Sequence, residues 1–513
     1  MPMSIKTFAA IDVGSFELTM KIFEFPAKNS MREIDCIHRR LDLGTDTYSD
    51  GKISNGNMDE LCRTLKEFSE IMGAYKVDAY KAYGTSAIRE TQNTTIVQDQ
   101  IAQRTGIRVE VLSNSEQRFL AYKSLASQGE NFRKIIEDKT AILDIGGGSI
   151  QLSLFDNDTL VSTQNLQLGV LRAQEFLNRF EASGSRAGYV MEEMAMAQLA
   201  TYKKLYLKDR EIRNLIVVDD YVSPCLVRMN GRKSMMELSD FSGFWEKLHA
   251  GSAMQVAQEM GIAEERVPLV IISATLIRKI ADLMGAQRIW APGATLCDGI
   301  AYEYAEGAKL LKGEHDFEKD IVACALNISK RYMGSKKRSE TLERITTTIF
   351  DSMKKVHGLG KRERLYLRLA AILHDCGKYI SLVNIGATSY QIIMATEIIG
   401  LSHTEREIVA NVVRFNHSNF IYYDQQTGFE RLDRDSYLIV SKLTAILRLA
   451  NGLDRSHKQK LMGLKAALKE NRLILTIDTQ EDITLEKGYF HVRGNFFKEV
   501  FSVEPVLKQH KHL

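Results

Sequence analysis

The chain has 513 residues, 44% hydrophobic and 26% charged, with a formal net charge of +3 and six prolines. That length supports three or four domains with substantial cores, and the composition is that of an ordinary globular protein. The near-zero charge gives no reason to expect DNA or a membrane surface as a partner, and no window holds the ~18 apolar residues of a spanning helix. The cysteines Cys36, Cys62, Cys225, Cys297, Cys324 and Cys376 lack paired spacing, which argues against a zinc ribbon or disulfide framework and fits a reducing, cytoplasmic location. The N-terminus MPMSIKTFAAIDVG has too short an apolar run for a signal peptide.

The first element is AAIDVGSFELTMKIF at residues 9–23, an apolar run ending in Asp-x-Gly and followed at once by a second alternating run. It reads as a hairpin whose tight turn displays Asp12 and Ser15. Glycine in such a turn lets backbone N–H groups approach an anion, and the aspartate can hold a hydrated divalent cation beside it. A strand over 78–83, a helix over 91–105, a strand over 108–112 and a helix over 115–128 follow, an alternation that predicts a layered α/β lobe over 1–125. Within it, YGTSAIRE (83–90) places Thr85 and Ser86 at a helix start, where free N–H groups face an anion, with Arg89 able to add a bidentate contact. In VLSNSEQRFL, Ser113 or Ser115 reads as a helix cap, and Glu116 in the first turn is either part of that cap or a base that orients a water.

The hairpin pattern returns as AILDIGGGSIQLSLF at 141–155, so Asp12 and Asp144 stand in the same Asp-x-Gly setting. The repetition predicts duplicated lobes closing over a phosphorylated ligand. Gly146, Gly147, Gly148 and Ser149 form the richer anion nest, and Arg172 after LQLG is placed to reach it. This second lobe is expected over 126–312, with PLVIISAT (268–275) as a buried strand. From 313 to 460 helical periodicity takes over, with Leu365, Leu369, Ile372 and Leu373 on one stripe. The segments RLILTIDT and GYFHVRGNFFKEVF read as strands of a small β-rich α+β unit over 461–513. Two basic runs, 330–338 and 354–364, are either solvated helix faces or a track for a polyanion.

The ordered set DVGS, TSAIRE, LSNSEQ, DIGGGS, LQLGVLR and a later HD pair resembles the Ppx/GppA exopolyphosphatase and guanosine-pentaphosphate phosphohydrolase family, over nearly the whole chain. The resemblance implies two ribonuclease-H-like lobes of the actin, Hsp70 and sugar-kinase superfamily, then an all-α HD-like domain. It implies magnesium-dependent attack of water on a terminal phosphoryl group of polyphosphate or pppGpp. By position, Asp12 and Asp144 match metal-associated aspartates. Arg89 and Gly146 to Ser149 match phosphate binders and Glu116 matches the base, while Ser15, Thr85, Ser86 and Arg172 stand as phosphate contacts on the local reading alone. The chain departs from the family pattern at Phe16, Glu17 and Thr19, keeps only the first acid of a Glu-Glu pair at Glu116-Gln117, and has Gln151 where a glutamate is usual. A neutral amide supplies no charge to magnesium and takes no proton. The alternative is therefore a polyphosphate or guanosine-polyphosphate binding protein with weak or no hydrolysis.

In the helical region His374 and Asp375 form the HD pair, with His357 placed to bring a second imidazole to a shared metal. Asn451 stands where an HD-type phosphohydrolase has its last aspartate, with Asp454 three residues on. The expectations are an HD-domain nucleotide phosphohydrolase or a helical domain that extends the polyanion path or forms a homodimer, the second being favoured.

Overall fold

A computed structural model describes residues 5–179, 185–231, 235–313, 315–426, 431–461 and 463–510. The chain divides into two compact units, Met1–Phe317 and Glu318–Leu513. Among the described residues no helix is long and apolar enough to cross a membrane.

The first unit holds two sheets built on one plan. Strands β1 (Lys6–Val13), β2 (Glu17–Phe25), β3 (Arg32–Arg40), β4 (Ala79–Gly84) and β5 (Val109–Val111) form a sheet of order β3-β2-β1-β4-β5. Strands β6 (Thr140–Ile145), β7 (Ile150–Asp156), β8 (Thr159–Leu166), β9 (Asn214–Asp219), β10 (Met236–Glu237) and β11 (Arg288–Trp290) form the other, ordered β10-β11-β9-β6-β7-β8. Each begins as a three-stranded antiparallel meander and then adds two strands parallel to its first. Parallel neighbours need crossover connections, and helices such as Asn55–Ala74 supply them. The duplicated lobes expected from the two hairpins are therefore present as duplicated topology.

The run Phe8-Ala9-Ala10-Ile11 is wholly buried because β1 is covered on both faces. Ala9, Ile11 and Val13 pack with Leu61, Leu65 and Phe68 of the helix Asn55–Ala74. Phe8 and Ala10 pack with Cys297, Ile300 and Ala301 of the helix Leu296–Gly307, whose Tyr304 stacks on Phe8 at 4.0 Å. That helix, expected within the second lobe, thus completes the core of the first.

The segment 268–275 is not a strand. It lies in the helix Val267–Met284, started by Pro268 and continued by Leu276, Ile277, Ile280 and Met284 on the buried side. A short apolar run fits a strand or a buried helix equally well, and here the longer helical spacing decides.

The second unit packs helices Lys336–Ser352, Lys361–Leu373, Ile385–Ala395, His403–His417 and Arg434–Leu453. A three-stranded sheet follows, ordered β12 (Lys465–Lys469), β13 (Arg472–Asp478) and β14 (Glu504–His510). RLILTIDT is a strand as expected, but GYFHVRGNFFKEVF belongs to the helix Thr484–Phe501. Phe490, Gly494, Phe497 and Phe501 recur at helical spacing on its buried face, a period that the local alternation concealed. This helix packs on Arg434–Leu453, so residues 461–513 are not a separate β-rich unit.

Part of each basic run is used within the fold. Arg338 is buried, Arg362 makes a bidentate pair with Glu405 (2.7 Å on both arms), and Arg364 does the same with Asp351 (2.8 Å on both). These three arginines serve the unit's own packing, while Lys330, Arg331, Lys336, Lys337, Lys354, Lys355 and Lys361 stay exposed.

Candidate active site

The two Asp-x-Gly turns close in the same way. Gly14 N donates to Glu17 O at 3.2 Å, and Gly146 N donates to Ser149 O at 2.9 Å. A side chain at Gly14 would put its Cβ 2.7 Å from that Glu17 oxygen, so this turn needs glycine. The turns border one cleft, lined by the expected Asp12, Ser15, Thr85, Ser86, Asp144, Gly146 and Gly147. Glu17, Gln117, Asp219, Asp220 and Arg266 line it as well.

Ser15 ties the first turn to the neighbouring helix start. Its Oγ lies 2.9 Å from Ser86 Oγ and accepts from Ala87 N at 3.2 Å. Thr85 Oγ1 donates to Val13 O at 3.4 Å. The second turn is held by LQLG: Leu171 N and Arg172 N donate to Gly147 O at 2.9 and 3.1 Å. Gly169 permits this, since a Cβ there would sit 2.2 Å from Gly147 O.

Three expected contacts turn out differently. Arg172 donates to Gly148 O at 2.9 Å and pairs with Glu90 at 2.8 Å, so it braces the loop's far side. Arg89 donates to Leu112 O at 2.8 Å and to Gln117 Oε1 at 3.1 Å, which orients Gln117 and does not line the cleft. Glu116 forms a capping box, accepting from Ser113 N at 2.9 Å and Ser113 Oγ at 2.6 Å. One residue further round that helix, Gln117 faces the cleft instead. Gln151 is buried opposite Asp144 in the β6–β7 ladder, and its amide donates to Thr163 Oγ1 at 2.7 Å.

The cleft gathers several carboxylates, of which Asp144 and Glu17 carry counter-charges in Arg118 and Arg266. Asp12 Oδ1 and Asp144 Oδ2 are buried without hydrogen-bond partners. Burial, reinforced by Asp220 and Glu17, holds the Asp12 carboxyl far above the usual range. Burial likewise raises Asp144, outweighing its ion pair with the buried guanidinium of Arg118. Arg118 also donates to Ser149 O and Oγ at 3.0 and 3.1 Å, joining Asp144 to its own glycine turn. Asp220 meets water in the cleft, yet the enclosing protein and then Glu17 and Asp219 push it to about 7 against the pull of Arg266. Glu17 is lowered despite burial, because His38 and Arg266 (2.9 Å) hold its charge. Asp219 is a structural acceptor, receiving Val222 N, Ser223 N and Ser273 Oγ at 2.7–2.8 Å.

Among the described residues no three His, Cys, Asp or Glu side chains converge as a ready metal cage. The orphaned oxygens of Asp12 and Asp144 nonetheless fit a hard cation that keeps several waters and is completed by substrate phosphate, the binding mode of magnesium.

Of the helical-unit candidates, His357 is spent: Nε2 donates to Phe350 O and Nδ1 accepts from Leu359 N, both at 2.9 Å. His374 and Asp375 do come together, with Nε2 3.4 Å from Oδ2.

Sequence reasoning missed Arg118, Asp220 and Arg266, and took Gln117 only as a lost acid, not as part of the cleft wall. NLIVVDD is an apolar strand ending in acid, as before Asp12 and Asp144, but it lacks the glycine turn that singled those two out. Arg266 precedes a helix far along the chain and carries no local signal.

A model of the Ppx/GppA phosphatase family matches residues 25–306, and one for domain III of that family matches 323–490. A protein of Vibrio atlanticus named guanosine-5'-triphosphate,3'-diphosphate pyrophosphatase is 20% identical over 496 residues, 92% of each chain. One of the same name from Photobacterium profundum is 18% identical over 484 residues, 92% of this chain and 91% of that one. The crystal structure of an exopolyphosphatase from Cytophaga hutchinsonii is similar at TM-score 0.52 and 21% identity, covering 60% of this chain and 100% of that one.

Proposed function

The chain belongs to the Ppx/GppA phosphatase family, and on that premise we propose that it removes the terminal phosphoryl group of inorganic polyphosphate or pppGpp by attack of water in the two-turn cleft. The observation that carries this reading is the pair of matching Asp-x-Gly turns with orphaned carboxylate oxygens on one cleft. Phosphoryl transfer depends on positioning and charge neutralisation more than on covalent chemistry. Asp12 and Asp144 would hold Mg2+, which when bound neutralises charge on the phosphates. Ser15, Thr85, Ser86 and the Gly146–Gly147 backbone border the phosphate path. With Glu116 committed to its cap, Asp220 is the water-exposed carboxylate whose proton affinity near neutrality suits it to accept the proton of the attacking water. The second unit is read as an HD-like helical domain. A cytoplasmic location, a homodimer and a guanosine-polyphosphate or polyphosphate partner complete the proposal.

A second reading, a binding protein for the same ligands with slow turnover, is favoured by Gln117 facing the cleft where a carboxylate would serve as base. Phosphate release from long-chain polyphosphate and from pppGpp, with and without magnesium, separates the two. Release that needs magnesium supports the enzyme. Saturable binding without release supports the binding protein, and neither binding nor release rejects both.

A further inference from the structure

At the end of the helix Lys361–Leu373 in the second unit His374 meets Asp375, and a cation of the chain itself, Arg338, lies between Asp375 and Asp454. His374 Nδ1 lies 2.9 Å from Ala371 O, an oxygen that only accepts, so Nδ1 carries the proton and Nε2 is left with a lone pair. That lone pair faces Asp375 Oδ2 at 3.4 Å, acceptor against acceptor, and Nε2 has no hydrogen-bond partner. Asp375 Oδ1 and Asp454 Oδ2 are also buried and unpartnered. The three side chains are 0, 8 and 2% exposed. Carboxylates this deeply withdrawn from water require a positive charge among them.

Arg338, only 3% exposed, supplies it from the helix Lys336–Ser352. Its Nη1 is 3.5 Å from Asp375 Oδ2, its Nε 3.9 Å from Asp454 Oδ2, and its Nη2 donates to Asn451 Oδ1 at 2.9 Å. Lys378 reaches Asp375 Oδ2 at 3.2 Å from the rim. His457 Nδ1 lies 3.5 Å from Arg338 Nη1, and Arg455 is drawn over the ring of Tyr489 at 4.6 Å. Two carboxylates therefore meet two cations, Arg338 and Lys378, and the local charge already balances. A divalent ion would leave an excess of two positive charges, and it would have to lie where the guanidinium reaches both aspartates. Asn451 belongs to the same arrangement: a neutral amide oxygen satisfies one guanidinium arm without adding the charge a metal would need.

We propose that Arg338 permanently occupies the cation position of this HD centre, so that the second unit takes no divalent metal and carries out no metal-dependent hydrolysis. The reading does not depend on what the cleft of the first unit does. The test uses full-length protein carrying Asp12→Asn and Asp144→Asn, which silences cation binding in that cleft. After dialysis against Mn2+ or Zn2+, the protein with Arg338 intact is expected to hold no metal, and neither metal nor chelator should change the melting of the second unit. Adding Arg338→His, which replaces the cation with a ligand, is expected to give stoichiometric Mn2+ or Zn2+ and metal-dependent melting. A folded Arg338→His protein that binds no metal overturns the proposal. So does metal retained by the protein with Arg338 intact and lost on His374→Gln. Where Arg338→His does not fold, the metal content of the Arg338 protein decides alone: none supports the lock, and His374-dependent metal refutes it.

Discussion

Replacing Asp220 with asparagine tests the electrostatics of the cleft and the proposed base together. Folding raises this carboxyl from 3.8 to about 7. Between those values the folded chain binds more protons than the unfolded chain, so stability falls as pH rises through the window; the cost is absent below it and complete above. A rise of about three pH units at about 1.4 kcal/mol each sets an unscreened ceiling of about 4 kcal/mol. Water reaches the carboxylate in the cleft, and screening reduces the working figure to about 1–2 kcal/mol. Asparagine mimics the protonated form. Asp220→Asn should therefore melt ~2–5 °C higher than the parent at pH 8 without magnesium, for a unit of this size, and equally with it at pH 4. Magnesium should narrow the gap by neutralising the neighbouring carboxylates in the parent. In turnover, the variant should lose the limb near pH 7 and fall by roughly 100-fold, the usual contribution of a positioned base. Calorimetric melting across pH 4–8 and initial rates of phosphate release measure both effects. Parallel melting curves across pH would refute the electrostatic reasoning, and an unchanged rate profile would remove Asp220 from the chemistry.

Arg118→Met leaves Asp144 buried without its counter-charge and should cost about 3–5 kcal/mol, part of it recovered by adding Asp144→Asn; denaturant titration of the three proteins checks the coupling. Glu116→Ala removes a capping box and should cost about 0.5–2 kcal/mol while leaving turnover nearly unchanged; a 100-fold loss of rate would return Glu116 to the role its sequence position suggested. Gln151→Glu places a second anion opposite Asp144 and removes the amide donor to Thr163, so it should lose about 1–3 kcal/mol in chelator. Magnesium should restore part of that loss if Asp144 binds the ion, and melting that ignores magnesium would contradict such binding.

The duplicated lobes were legible in the sequence because their signal is local. An apolar strand, an Asp-x-Gly turn and an answering strand lie within fifteen consecutive residues, and the second copy repeats the first. The same locality exposed Ser15, Thr85 and Ser86, which sit at turns and helix starts whose chemistry is fixed by their immediate neighbours. Where two periods fitted one stretch, local reading failed: PLVIISAT and GYFHVRGNFFKEVF became helices because burial of Ile277 and Ile280, and of Phe490, Phe497 and Phe501, follows 3.6-residue spacing over a longer span. The roles of the charged groups were decided only by the tertiary structure. Glu116 and Gln117 are neighbours in the chain, yet the helix turns one into its own cap and the other into the cleft. Arg118 meets Asp144 and Ser149, and Arg338 meets Asp375, Asn451 and Asp454, across separations that no local pattern records. A charge buried in a fold must find its partner wherever the packing brings one, so the sequence shows that such groups exist and only the packed chain determines which of them remain available for a ligand.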